Sequence, residues 1–356
     1  MTKYFTPTTV AIGNFDGIHC GHQQVLQPIL NSAGHQIPKN GCQNQFFSFS
    51  TECNETQIYY PTVVTFNPHP KQFFSRQHRP LLTPLQEKIK QLLSLGIKQV
   101  VPLTFNEELA TISPQQFVEK ILVQQLKAQK ISVGHDFRFG YQRKGTATDL
   151  QEIAGSFGIP VTIVPPYTYK GERISSSLIR QSLEQGNLQY IKALLGRSYT
   201  LQGFTEKQQE MGDFSRIKLK LPSEKLLPRP GSYAARVFIE DANQTALETA
   251  ILKNLSCQFS FPLLYQGIVN INNFFGINEE ESYVEIYLLD WPGDLQGQTI
   301  TIELEYFLRP QLEFTSLEAL KKQIQIDLSL AKVMLDVKPT SFVKQQKEHL
   351  LSKSVP

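Results

Sequence analysis

The first half of the chain alternates short apolar runs with amphipathic stretches. "TVAIG" (residues 9–13), "TVVTF" (62–66), "QVVPLTF" (99–105), "KISVG" (130–134) and "VTIVP" (161–165) are brief, rich in β-branched residues and bounded by turn formers, so they predict buried strands. Between them lie helical periods. In "PLQEKIKQLLSLG" (84–96) Leu85, Ile89, Leu92 and Leu93 form a stripe, with Pro84 at the first turn and Gly96 at the end. In "SPQQFVEKILVQQLKAQ" (113–129) Ser113 is a candidate N-cap ahead of Phe117, Ile121 and Leu122. Strand alternating with helix predicts a parallel sheet covered on both faces, with ligands at the carboxyl ends of the strands. Residues 31–61 break the rhythm with Gly, Pro, Asn and Gln and predict an inserted surface loop.

From about residue 199 the pattern changes. "IKLKLP", "SYAARVFIE", "CQFSFPLLYQGIVNI", "SYVEIYLLDW" and "TITIELEYFL" predict successive strands, and "TSLEALKKQIQIDLSLAKVML" (315–335) predicts one amphipathic helix. The expected fold is therefore α/β: a Rossmann-like parallel-sheet domain over 1–197, a small antiparallel β-barrel with a C-terminal helix over 198–338, and a tail over 339–356. A length of 356 residues agrees with two domains.

A composition of 40% hydrophobic and 19% charged residues is that of a globular protein. The formal charge of +3 gives no support to bulk electrostatic binding of nucleic acid or membrane. No secretory signal or run of transmembrane length is expected. Cys20, Cys42, Cys53 and Cys257 match neither a zinc-knuckle spacing nor a disulfide scaffold, which suits free thiols and a cytoplasmic location.

The chemistry gathers at strand ends. After the first strand comes "GNFDGIHCGH", with His19 and His22 three apart at the mouth of a helix, Gly13 and Gly17 easing the turn and Gly21 removing a side chain from the approach. Two such imidazoles can ligate a metal, act as acid and base, or grip an anion. The helix N-terminus favours an anion, a phosphoryl group above all. Zinc would need a third ligand at a telling spacing, and none is evident. The second strand leads to Asn67 and His69 in "TFNPHP", and the fourth to Asp136 and Arg138 in "VGHDFRFG". After the fifth, "GERISSSLIRQSLEQG" places Ser175, Ser176 and Ser177 at a helix start between Arg173 and Arg180.

These motifs, with "ERISSSLIRQSLEQGNLQYIKALLGRSY", resemble those of the bacterial bifunctional riboflavin kinase/FMN adenylyltransferase family, also called FAD synthetase. The resemblance implies transfer of AMP from ATP to FMN, with pyrophosphate released and magnesium required. It implies that His19 and His22 contact the ATP phosphates and that Gly13, Phe15 and Asp16 border the nucleotide. Asn67 would lie beside the reacting phosphates and Asp136 on the adenosine or flavin side. Arg173, Ser176 and Ser177 would hold the pyrophosphate end, while Gly21, His69 and Arg180 belong to the same substrate-binding set. Magnesium would ride largely on the phosphates without a dedicated protein cage, and ATP, FMN and riboflavin would be the small-molecule partners. No nucleic-acid or membrane partner is expected.

The second half resembles the family's riboflavin kinase barrel, and Glu285 falls where the family carries the carboxylate that activates the ribityl hydroxyl. Here "DFSRIKLKLP" departs from the family's Pro-Thr-Ala-Asn stretch: Arg216 and Lys218 stand in place of threonine and asparagine. Cations cannot ligate magnesium, so riboflavin phosphorylation is expected to be weak or lost. A fully bifunctional enzyme and a non-catalytic flavin- or nucleotide-binding relative are the alternatives. Other nucleotidyltransferases share His-x-Gly-His, which alone does not exclude them.

Overall fold

The computed structural model describes residues 5–31, 59–210, 215–239, 263–273, 282–288 and 295–336. Most of the 31–61 insertion, Cys42, Cys53, Cys257, the segment after Asn273 and the 339–356 tail lie outside the described residues. Contacts group the chain into two units. The first comprises Met1–Ser182, Tyr190–Arg197 and Ser223–Leu226, and the second Leu183–Gln189, Ser198–Pro222 and Leu227–Pro356.

In the first unit β1 (Thr8–Ile12) is buried along its whole length. It pairs in parallel with β2 (Tyr60–Asn67) and β4 (Ala128–Gly134); β3 (Gln99–Thr104) and β5 (Val161–Val164) complete a parallel sheet of order β3-β2-β1-β4-β5. The two-residue period of a strand divides its side chains between two cores. Val10 and Ile12 join Val64, Val133, Phe117 and Leu122 on one face. Ala11 and Val63 meet Leu26, Ile29 and Leu92 on the other, where α1 (Cys20–Asn31) and α3 (Leu85–Ser94) pack; the short α2 (Pro70–Ser75) follows β2. The expected two-sided covering of a parallel sheet is thus present.

Two helices differ from their sequence patterns. Ser113 does cap, in a full capping box with Gln116, but the α-turn spans only Pro114–Gln116 and continues as a π-helix over Phe117–Gln125. Val118 and Leu122 inside it and Leu126 at its C-cap are buried on one face. In α3 the buried positions are Glu87, Lys88 and Leu92, while Leu93 is exposed. The helix is turned because Lys88 and Glu87 have polar partners inside the unit. Glu87 pairs at 2.6 Å with Lys225, whose Nζ also donates to the Leu82 carbonyl.

The second unit is a closed antiparallel barrel. Its strands are β6 (Tyr199–Glu210), β7 (Ser215–Lys220), β8 (Gly231–Ile239), β9 (Leu263–Asn273), β10 (Ser282–Leu288) and β11 (Thr299–Pro310), in the order β6-β7-β10-β9-β8-β11. Closure removes exposed strand edges. β6 carries little hydrophobic pattern and was not among the expected strands. It is held by pairing with β7 and β11, with Tyr199 and Leu201 buried. A Cβ on its Gly203 would lie 2.5 Å from the Lys220 carbonyl oxygen, so only glycine permits that approach. The helix Leu317–Asp336 buries Ile324, Leu328, Ala331 and Leu335 against Ala234, Ile268 and Tyr287. Arg309 anchors it through a forked pair with the buried Asp327. Among the described residues no helix is long and apolar enough to cross a membrane.

Candidate active site

The carboxyl ends of β1, β2, β4 and β5 contribute Ile12, Phe66, Gly134 and Val164 to a cleft of about 1150 Å³ in the first unit. This is where an open parallel sheet offers a ligand site.

His19 is the N-cap of α1. Its carbonyl accepts the first helical hydrogen bond, from Gln23 N–H, and its Nδ1 accepts the N–H of His22 at 3.1 Å. With Nδ1 accepting, a neutral His19 carries its proton on Nε2. The two rings stack with centroids 3.6 Å apart and planes 13° apart. A Cβ on Gly21 would stand 3.1 Å from Cε1 and Nδ1 of His19, so this glycine makes room for the capping imidazole. Burial lowers the pKa of His19 to about 4, against the opposing charge of Asp16. Burial, then His19 and Lys88, also lowers that of His22. Both rings are therefore neutral near pH 7, and the Nδ1 of His22 is buried without a hydrogen-bond partner.

The turn that delivers them is strained. Phe15 has φ 50° and Ile18 φ 44°, left-handed values that cost free energy in bulky residues. Asp16 braces the turn: one carboxylate oxygen accepts the Thr83 N–H and the other pairs with Arg180 at 2.6 Å. Arg180 lines the cleft, yet its charge is matched by a carboxylate. Arg173 and Asp136, both exposed, form a second such pair. Ser175 caps α4 (Ser176–Gln185) through the N–H of Leu178, and Ser176 donates to the Asp16 carbonyl, tying the serine motif to the first turn. Ser177 is exposed in the lining.

His69 repeats the device of His19. It caps α2, with Nδ1 accepting from Lys71 N–H, and burial brings its pKa to about 4. Gly13, Phe15, Asp16, His19, Gly21, His22, His69, Asp136, Arg173, Ser176, Ser177 and Arg180 thus line one cleft. Asn67 does not: it ends β2 opposite Thr104, exposed, and is absent from the lining. The asparagine in the cleft is Asn14, whose Oδ1 is buried and unpartnered. Sequence reading also missed Lys88, 4% exposed, because a lysine in an amphipathic helix reads as its solvent side. Lys71 and Arg79 join the lining, and Phe66, Phe73, Phe74 and Phe105 make an edge-to-face aromatic cluster beside it. Among the described residues no group of three or more His, Cys, Asp or Glu could hold a metal ion.

In the barrel, Glu285 is 5% exposed on β10, opposite Lys218. Nε of Arg216 donates to its Oε1 at 2.7 Å, and Tyr287 Oη donates to its other oxygen. Arg216 has thus taken hold of the Glu285 carboxylate.

Residues 2–178 match the FAD synthetase family model and residues 195–335 the riboflavin kinase model. The chain is 28% identical to the bifunctional riboflavin kinase/FMN adenylyltransferase of Bacillus subtilis, over 90% of each chain. It is 29% identical to that of Escherichia coli K12, over 89% of this chain and 90% of that one. A solved Streptococcus pneumoniae structure, described as a macrolide-efflux protein, shares the fold with TM-score 0.70 and 23% identity over 92% of this chain and 95% of that one.

Proposed function

This chain belongs to the bifunctional riboflavin kinase/FMN adenylyltransferase family, and on that premise we propose that its parallel-sheet unit makes FAD from FMN and ATP. An oxygen of the FMN phosphate attacks the α-phosphorus of ATP. The bond from that phosphorus to the bridging oxygen of the β-phosphate breaks, and pyrophosphate leaves. No covalent enzyme intermediate is required, so positioning and charge stabilisation supply the rate.

The observation that carries this reading is the neutral His19–His22 stack at the N-terminus of α1, whose residues line a cleft of about 1150 Å³ and whose His22 Nδ1 is buried and unpartnered. The stack borders the space that a triphosphate would fill. Nε2–H of His19 and Nδ1 of His22 are suited to the charge gathering on the equatorial oxygens in the transition state. Arg173 and the start of α4 suit the departing pyrophosphate, and the phenylalanine cluster suits a flavin ring. A magnesium ion arriving with ATP would be held by phosphate oxygens and would offset their charge. Asp16 is already engaged by Arg180 and Thr83.

The riboflavin kinase barrel belongs to the family, but we read its phosphorylation step as weak or lost. Glu285 is held by Arg216, so it is poorly placed to take a proton from a ribityl hydroxyl. The test is to supply ATP and magnesium with riboflavin or FMN separately and resolve the flavins by chromatography. FAD from FMN, with little FMN or FAD from riboflavin, is expected. Brisk turnover of riboflavin overturns the kinase reading, and no FAD from FMN overturns the whole.

A further inference from the structure

The adenylyl-transfer reading leaves Lys88 unexplained. A buried ammonium is costly unless paired, yet the Nζ of Lys88 makes its hydrogen bonds to two neutral oxygens. It donates to the Asn14 carbonyl at 2.7 Å and lies 3.5 Å from Thr65 Oγ1. Thr65 Oγ1 donates to the same carbonyl at 3.1 Å, so one peptide oxygen is gripped twice. Asn14 lies between Gly13 and the strained Phe15 and lines the cleft, and its side-chain Oδ1 is buried and unpartnered. An apolar side chain would fill this site at less cost, so stability alone does not account for the charge.

We propose that Lys88 is a positioning residue for adenylyl transfer: its ammonium pins the Asn14 carbonyl, sets the Gly13–Asp16 turn at the phosphate site, and leaves behind that site a positive charge which the incoming triphosphate answers. The inference rests on the FAD-synthesis reading. The charged and titratable groups facing Lys88 are Asp16 from the turn, His22 from α1 and His69 from the exit of β2; Glu87, paired with Lys225, is its neighbour on α3. Asp16 is matched by Arg180, and the histidines are neutral above about pH 6. Burial brings the pKa of Lys88 to about 8, with Asp16 opposing. The protonated form therefore prevails below about pH 8 and is lost as pH rises through it.

The experiment measures kcat and KM for ATP and FMN from pH 6 to 9.5 in the wild type, Lys88→Met and Lys88→Arg. Expected in Lys88→Met is a fall in kcat of roughly 30-fold, with KM for FMN within threefold. The alkaline limb near pH 8 in the wild-type kcat/KM for ATP should move up in Lys88→Arg, which keeps its charge and part of the activity. Unchanged kcat in Lys88→Met, or an alkaline limb unmoved in Lys88→Arg, overturns the inference; the latter would assign the limb to Lys225 or another group. If Lys88→Met does not fold, the Lys88→Arg profile decides. A wild-type protein that makes no FAD at any pH refutes the functional reading and this inference with it, whereas normal FAD synthesis with indifferent Lys88 variants refutes this inference alone.

Discussion

Replacing Gly21 with alanine adds a single methyl group against the capping imidazole. The new Cβ would sit 3.1 Å from Cε1 and Nδ1 of His19, closer than ordinary carbon contacts of about 3.5–4.0 Å. The ring must therefore retreat by about 0.3–0.4 Å. That stretches the 3.1 Å bond from His22 N–H to the edge of hydrogen-bonding range, where it is largely lost, and unsettles the stack. The lost cap costs about 1 kcal/mol. Alanine in place of glycine in the first turn returns about 0.5 kcal/mol, so the net destabilisation is about 0.5 kcal/mol and the melting temperature should fall by about 2 °C or less. Catalysis responds differently, because transition-state donors must be placed to a fraction of an ångström. A loss of roughly 30- to 100-fold in kcat, about 2–3 kcal/mol, is expected. The assay is steady-state FAD formation from FMN and ATP, beside a thermal melt of the same preparation. A Gly21→Ala protein with kcat within threefold of wild type would refute the claim that the glycine exists to seat His19. So would a kcat loss matched by global unfolding.

His22→Ala should lower kcat by about 100-fold while KM for FMN changes little. An equal loss in both parameters, in the same kinetic assay, removes His22 from the role of transition-state donor. Arg180→Met should destabilise the protein by about 3 kcal/mol in chemical denaturation, since it strands the buried Asp16 carboxylate. A change below about 1 kcal/mol would return Arg180 to the role of a phosphate ligand that contributes little to the fold. The histidines also set an acid limit. His19 titrates at about 4 when folded against 6.5 when unfolded, so below pH 6.5 the unfolded chain binds more protons and folding weakens. Stability should be flat above about pH 6.5 and decline toward pH 4, by on the order of 3 kcal/mol from His19, with His69 acting in the same sense. Denaturation midpoints measured at pH 7.5, 5.5 and 4.5 check this. A His19→Asn variant showing the same decline would contradict the assignment.

Much of the fold is legible along the chain because its signals are local. The β-branched runs, the Ser113 capping box and the Pro84 and Gly96 boundaries act over a few residues, and strand–helix alternation leaves one efficient arrangement. β6 escaped because its apolar residues are few and its strand is made by partners rather than by its own pattern. The π-helix over Phe117–Gln125 escaped for a related reason: its sequence suits an α-helix equally well, and packing selects the wider turn.

The chain by itself determined that a constellation of glycines, histidines and serines would stand at the carboxyl ends of a parallel sheet. Glycines, paired histidines and a serine-rich helix start encode that over short spans. Only the tertiary structure decided which charges remain to be used. It gave Asp16 to Arg180, Asp136 to Arg173 and Glu285 to Arg216, fixed the proton of His19 through the His22 amide, left Asn67 outside the cleft and turned Lys88 inward. Such outcomes depend on which side chains meet across separations that run from 37 residues for Asp136 and Arg173 to 164 for Asp16 and Arg180, and on how dry the meeting place is, and neither is written in any local pattern.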